Sequence, residues 1–242
     1  MPNNSKTLLF IMSILLISEA SALSKEWITS NSGNDVIWLY KYTNQNNLNT
    51  KQNIVYIGDQ HGGKETRALM MANGFMSQID NTMMDRFNLY VINASNPYGL
   101  RKGIQENILN QNMNRYWNTQ GQCKETDNIK KRISSLSNVI AVVDGHAYAS
   151  GEMYSKIMIK SQDKNLYNDK TRICGLMKKY LPKFTCELWI TDGMSDNSKA
   201  SYYFVKYAKY TFAVEISQKN STDEEAYQLG KNFNKFIAEV LK

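Results

Sequence analysis

The sequence predicts an α/β layered fold with a mostly parallel sheet. Three observations carry that reading. Short apolar runs rich in β-branched and aromatic residues recur along the chain, longer segments with helical spacing separate several of them, and distinctive polar residues gather just beyond the runs. Open α/β sheets bind their ligands at that position, beyond the carboxyl ends of the strands.

The candidate strands are residues 36–42, 53–57, 88–92, 139–143, 186–191 and 212–216, each short enough for a buried strand. The candidate helices are residues 65–80, 127–135, 170–180, 199–207 and 223–241. The last has a start signal, Thr222 followed three residues later by Glu225, the pattern of a capping box. With 242 residues, of which 42% are hydrophobic, the chain has material for one sizeable core, so one domain is the expectation.

The first residues, MPNNSKTLLFIMSILLISEASALS, place Lys6 before an apolar run (residues 8–17) and then Ala20-Ser21-Ala22. That order predicts a secretory signal peptide over residues 1–22, followed by a single domain over 23–242 in a periplasmic or secreted protein. The apolar run falls short of the roughly 20 residues a bilayer span needs, so no stable membrane insertion is expected after cleavage; an uncleaved anchor is the alternative. Loss of this segment removes Lys6 and Glu19 and leaves the net charge of +7 unchanged. A basic exported protein suits acidic partners such as wall polymers or carboxylate-rich peptides. Nucleic acid is disfavoured, because no dense Lys/Arg run occurs. Cys174 and Cys186 are able to pair and leave Cys123 odd, although spacing alone does not settle connectivity.

The chain has two histidines, His61 and His146. Each follows an apolar run and borders small residues, in Gln60-His61-Gly62-Gly63 and Asp144-Gly145-His146-Ala147. A histidine in a turn is often no more than a satisfied hydrogen bond. Two of them with a nearby acid form the set that holds catalytic zinc, usually two His and one Glu with a position left for water. The acid nearest His61 is Glu65, and Asp144 sits two residues before His146, on the same side of a strand, where it would orient the imidazole.

Read in order, the blocks HGGKE, NPYG, NMNRYW, DGH and AVEIS resemble the motifs of the zinc carboxypeptidase family, in its short bacterial form, the murein peptide amidases and D,L-carboxypeptidases. The resemblance spans residues 54–218 and implies a three-layer fold with a mixed sheet of about eight strands flanked by helices. It also implies one zinc ion held by His61, Glu65 and His146, and Glu215 as the general base that takes a proton from water and passes it to the leaving amine. Asn114 and Arg115 match the pair that holds the substrate carboxylate, and Tyr202 and Tyr203 lie where the family closes a loop over the substrate. The implied protein is a monomeric zinc hydrolase of carboxylate-bearing peptides, muropeptides foremost; the alternative is a module that keeps the fold and binds such peptides without turnover.

Three positions depart from the family pattern. Glu65 stands four residues after His61 where the family spacing is three, Asn112 replaces an aspartate, and no arginine precedes Asn112 at the usual distance, Arg101 and Lys102 being the nearest cations. His61 and Glu65 share a metal only if the turn between them absorbs one residue, which predicts a positive φ at Gly62 or Gly63.

Overall fold

In the computed structural model, which describes residues 24–30, 35–43, 51–148, 156–190 and 199–242, the apolar runs and helical segments alternate as the sequence predicts. The chain runs through β1 (Ser24–Ile28), β2 (Ile37–Tyr42), β3 (Gln52–Gly58), α1 (Thr66–Ser77), α2 (Asn81–Arg86), β4 (Phe87–Ile92) and α3 (Pro97–Lys102). It continues through α4 (Lys124–Ser134), β5 (Val139–Tyr148), β6 (Lys156–Ser161), α5 (Lys170–Tyr180), β7 (Thr185–Ile190), α6 (Ala200–Tyr203), β8 (Tyr210–Ser217) and α7 (Asp223–Val240). The expected signal segment 1–22 lies outside the described residues.

The strands form one eight-stranded sheet in the order β1-β2-β4-β3-β5-β8-β6-β7. The centre is parallel, β4 beside β3, β3 beside β5 and β5 beside β8, as is the β6–β7 pair. The joins β1–β2, β2–β4 and β6–β8 are antiparallel, so the sheet is mixed, as the family resemblance implies.

Alternation along β3 shows why the sheet is covered on both faces. Ile54 and Tyr56 join Phe75, Phe233 and Phe236 in a core under α1 and α7, whereas Val55 and Ile57 join Trp117, Ile129 and Phe204 in a second core under α4 and α6. The α1–α7 contact depends on glycine: a Cβ at Gly74 would stand 1.9 Å from the Tyr227 carbonyl oxygen, and one at Gly230 1.9 Å from that of Met71. These glycines let the two backbones touch, which holds the helical layer behind the centre of the sheet. Thr222 and Glu225 form the expected capping box at the start of α7.

Cys174 and Cys186 are joined, with Cα atoms 5.6 Å apart, and Cys123 is a free buried thiol. None of the described helices is long and apolar enough to cross a membrane.

Candidate metal centre

β3 delivers the chain to the site. Beyond Gly58, Asp59 adopts a left-handed φ of 53°, and a 3-10 turn at Gly62–Lys64 follows. Gly62 has φ 50°, so the extra residue between His61 and Glu65 is absorbed at one of the two predicted glycines. The turn is pressed onto α3: a Cβ on Gly62 would meet the Gly99 carbonyl carbon at 2.5 Å, and one on Gly63 the Gly103 Cα at 2.3 Å. The Asn96-Pro97-Tyr98-Gly99 block builds that support, with the Asn96 side chain capping α3 by accepting the Gly99 N–H.

β5 supplies the second half. The sequence places His146 just after a strand ending at residue 143; β5 instead continues to Tyr148, because its parallel ladder with β8 runs on through Tyr148 and Ser217. His146 pairs in register with Glu215, so the two side chains leave neighbouring strands on the same face.

The three candidate ligands converge. One atom from each of His61, Glu65 and His146 lies within 4.8 Å of the others, and all three residues are buried or half-buried. His61 Nδ1 contacts Glu65 Oε1, and His146 Nδ1 lies 3.3 Å from Glu65 Oε2, which also accepts the Ala147 N–H at 3.0 Å. The far ring nitrogens are tied off: His61 Nε2 donates to Asn112 Oδ1 at 3.1 Å, and His146 Nε2 donates to Asp144 Oδ1 at 2.8 Å. With the Nε2 sides held by acceptors, each imidazole turns its Nδ1 towards the Glu65 carboxylate. Two lone pairs and a carboxylate facing one small space repel unless a cation or proton lies between them. That donor set, two nitrogens and an oxygen, fits zinc.

The surrounding residues fix this arrangement. Asp144 is fully buried and accepts from Gln60 Nε2 at 2.5 Å and from the Ser201 N–H at 2.9 Å, while Gln60 Oε1 accepts from Trp117 Nε1 at 2.6 Å. Lys160, also fully buried, donates to Ser201 Oγ at 2.8 Å and lies 3.7 Å from the ring centroid of Tyr202. Asn112 Oδ1 takes the Asn114 N–H as well as His61, so the residue that stands where the family motif has aspartate orients His61 through an amide.

Charge follows geometry. Burial alone would raise the Glu65 carboxyl, but hydrogen bonds and charge from His146 and His61 outweigh it and hold the group at about 2. Asp144 is likewise about 2, its burial offset by His146, the Ser201 N–H and Lys160. Burial would lower His146, yet Asp144 and Glu65 push it well above the usual histidine range. Glu215 goes the other way: burial raises it, and Glu65 and Asp144 add to that against His146 and Lys199. Asp59 is raised well above the carboxylate range by burial and by Glu65, and neither of its oxygens has a hydrogen-bond partner among the described residues.

The remaining expected site residues divide. Asn114 is buried in the same segment as Asn112, with no hydrogen-bond partner for its Oδ1 among the described residues, and Arg115 beside it is exposed. Tyr202 borders the Asp144 network through Ser201 and Lys160. Tyr203 is drawn elsewhere, into a cluster with Phe204 and Tyr207 above Lys130 and Lys206, because α6 turns successive side chains to different sides. Arg101, one of the two cations nearest to replacing the missing arginine, is bound bidentately to Asp35 at 3.0 and 2.7 Å and is thereby engaged away from the ligands. Sequence reasoning overlooked Gln60 as the link between Trp117 and Asp144, and Lys160 as their buried counter-charge. The adjacency of Gln60 to His61 was a usable signal; for Lys160 there was none.

No protein-family profile matches the sequence, and no curated protein does. Solved structures do match. A metallo-carboxypeptidase from Burkholderia cenocepacia superposes with a TM-score of 0.76 at 14% identity over 97% of this chain and 68% of its own. A metallo-carboxypeptidase from Pseudomonas aeruginosa, in complex with (2-guanidinoethylmercapto)succinic acid, gives 0.72 at 15% over 95% and 68%. Carboxypeptidase A from Helicoverpa armigera gives 0.66 at 11% over 95% and 71%. At such identities the likeness concerns architecture, and on that count the chain has the fold of the metallo-carboxypeptidases.

Proposed function

We propose that the protein is an exported zinc-dependent peptidase or amidase that hydrolyses an amide bond in carboxylate-bearing peptides, with murein peptides as its substrates. The observation that carries the reading is the convergence of His61 Nδ1, Glu65 and His146 Nδ1, with Glu215 in register beside His146. His61, Glu65 and His146 would hold the ion. Zinc, when bound there, supplies a Lewis acid that polarises the amide carbonyl and makes water a stronger acid.

The chain's own residues do the rest. Asn112 and Asp144 hold both imidazoles in the tautomer that leaves Nδ1 free. Glu215, kept from bulk water by β5 and β8, takes a proton from the attacking water as the new C–O bond forms. It returns that proton to the amide nitrogen as the C–N bond breaks, a double duty suited to a carboxyl whose pKa is raised by burial. Arg115 offers an exposed guanidinium for a substrate carboxylate, with the Asn114 amide next to it. The dicarboxylate named in the Pseudomonas structure supports a carboxylate-bearing substrate. The secretory pattern of residues 1–22 and the net charge of +7 support action on an acidic wall.

The test is direct. Muropeptides are incubated with the mature chain, purified with zinc, and the products are read by mass spectrometry. Release of diaminopimelate or of a terminal residue is expected, and loss of that release in Glu215→Gln and Glu65→Ala. Unchanged rates in both variants would refute the assignment. The engagement of Arg101 by Asp35 favours a second reading, a module that binds such peptides without turnover. Muropeptide binding by a protein that takes up no zinc would establish it.

A further inference from the structure

A cavity of about 660 Å³ opens on the α4 and α6 face of the sheet, within the size range of small-molecule sites. Its floor includes Trp117, the residue that donates to Gln60 and so touches the network around His146. One wall is aromatic. Tyr203 and Tyr207 lie with ring centroids 5.6 Å apart, and Tyr207 is 44% exposed.

Cations surround this wall. The Lys206 ammonium is 4.5 Å from the Tyr203 centroid and 5.1 Å from that of Tyr207. Lys130 also approaches Tyr203, but it is committed to Asp127 at 2.7 Å and to the Thr119 carbonyl at 2.5 Å. Asp127, the one acid in the lining, is therefore already paired, whereas Lys131 and Lys206 are exposed. Gln120 adds an exposed side-chain amide at the rim.

An aromatic wall that already seats the Lys206 ammonium, a second exposed ammonium at Lys131 and an amide rim suit a ligand with a flat C–H face, a negative charge and hydroxyl groups. A pyranose ring bearing a carboxylate has all three. A carboxylate alone would engage the lysines without using the tyrosine rings. We propose that this cavity binds a carboxylated saccharide, at a site separate from the metal centre and joined to it through Trp117 and Gln60. The proposal deepens the wall-directed reading and rests on it only for the source of the saccharide.

Calorimetric titration of the full chain, with and without chelator, tests it independently of peptide hydrolysis. The probes are tetragalacturonate, the neutral cellotetraose and a single-stranded oligothymidylate. Tetragalacturonate is expected to bind in both states, with cellotetraose weaker by about tenfold or more. Lys206→Glu and Tyr207→Ala are each expected to weaken tetragalacturonate by about tenfold. Tyr207→Phe, which keeps the ring, should retain binding, and the exposure of both positions lets all three variants fold, as circular dichroism will check. No binding of tetragalacturonate, equal binding of cellotetraose, or indifference to Lys206→Glu and Tyr207→Ala would each overturn the proposal. Tighter binding of the oligothymidylate would overturn it in favour of nucleic acid. Failure to cut muropeptides alongside intact saccharide binding would count against the peptidase reading alone.

Discussion

Gly62→Ala isolates the turn that brings His61 and Glu65 together, and Gly103→Ala is its matched control. Both glycines have positive φ, 50° and 70°, so alanine at either one carries the left-handed penalty of about 1–2 kcal/mol. They differ in space. A Cβ at Gly103 meets nothing within 4 Å, whereas at Gly62 it meets backbone atoms of Gly99 and Leu100 at 2.5 and 2.6 Å, where only movement of α3 or of the turn gives relief. That overlap adds about 1–3 kcal/mol, so Gly62→Ala should cost about 2–5 kcal/mol in total and Gly103→Ala no more than about 2. Part of the loss should appear as zinc affinity, since any movement of the turn carries His61 away from His146. Urea unfolding of the chelator-treated proteins reads the first term, and chelator competition reads the second. Equal stability losses in the two variants, with zinc affinity unchanged in Gly62→Ala, would refute the role given to this turn.

Three further outcomes are expected. Asp144→Asn keeps the shape but weakens the hold on the His146 Nε2–H, and chelator competition should show zinc affinity lower by about 10- to 100-fold; an unchanged affinity would remove Asp144 from the site. The pKa of Glu215 is raised by burial, so in the zinc-free protein its contribution to stability is present below the ordinary glutamate range and lost as pH rises through the raised value. Unfolding free energies of Glu215→Gln and the parent should therefore diverge in favour of the variant as pH rises through that window, and parallel curves would contradict it. Lys160→Met leaves the buried Asp144 without its neighbouring ammonium and should cost about 3–5 kcal/mol in urea unfolding, a loss below about 1 kcal/mol being incompatible with the arrangement described.

What was legible in the sequence, and what was not, divides along physical lines. All six predicted strands form, because each is apolar on both faces or alternates cleanly. The two strands that escaped notice are β1, an edge strand with the pattern SKEWI, and β6, whose KIMIKS places charged residues at both ends and buries one of them. Lysine on a central strand reads as surface until its partners are known, and Ser201 and Tyr202 come from an element forty residues away. The helix expected over 199–207 breaks into α6 and a 3-10 turn, and with that break Tyr203 leaves the side of Tyr202. The positive φ at Gly62 was readable from the family spacing: a candidate pair of ligands, one residue too many and two adjacent glycines admit few other solutions.

Charge explains why a site with so many acids is stable as a unit. Glu65, Asp144 and Glu215 lie against one another, with Lys160 as a buried cation beside Asp144, and the Asp59 carboxyl near them is pushed well above the usual carboxylate range. With both imidazoles neutral, as metal binding would require, three carboxylates against the Lys160 ammonium leave two negative charges when Glu215 is ionised, which a single divalent ion would cancel. An aspartate at position 112 would add a third, and would bring it to His61, the ligand that already shares its Nδ1 side with Glu65. The amide of Asn112 keeps the orienting hydrogen bond while leaving that balance intact.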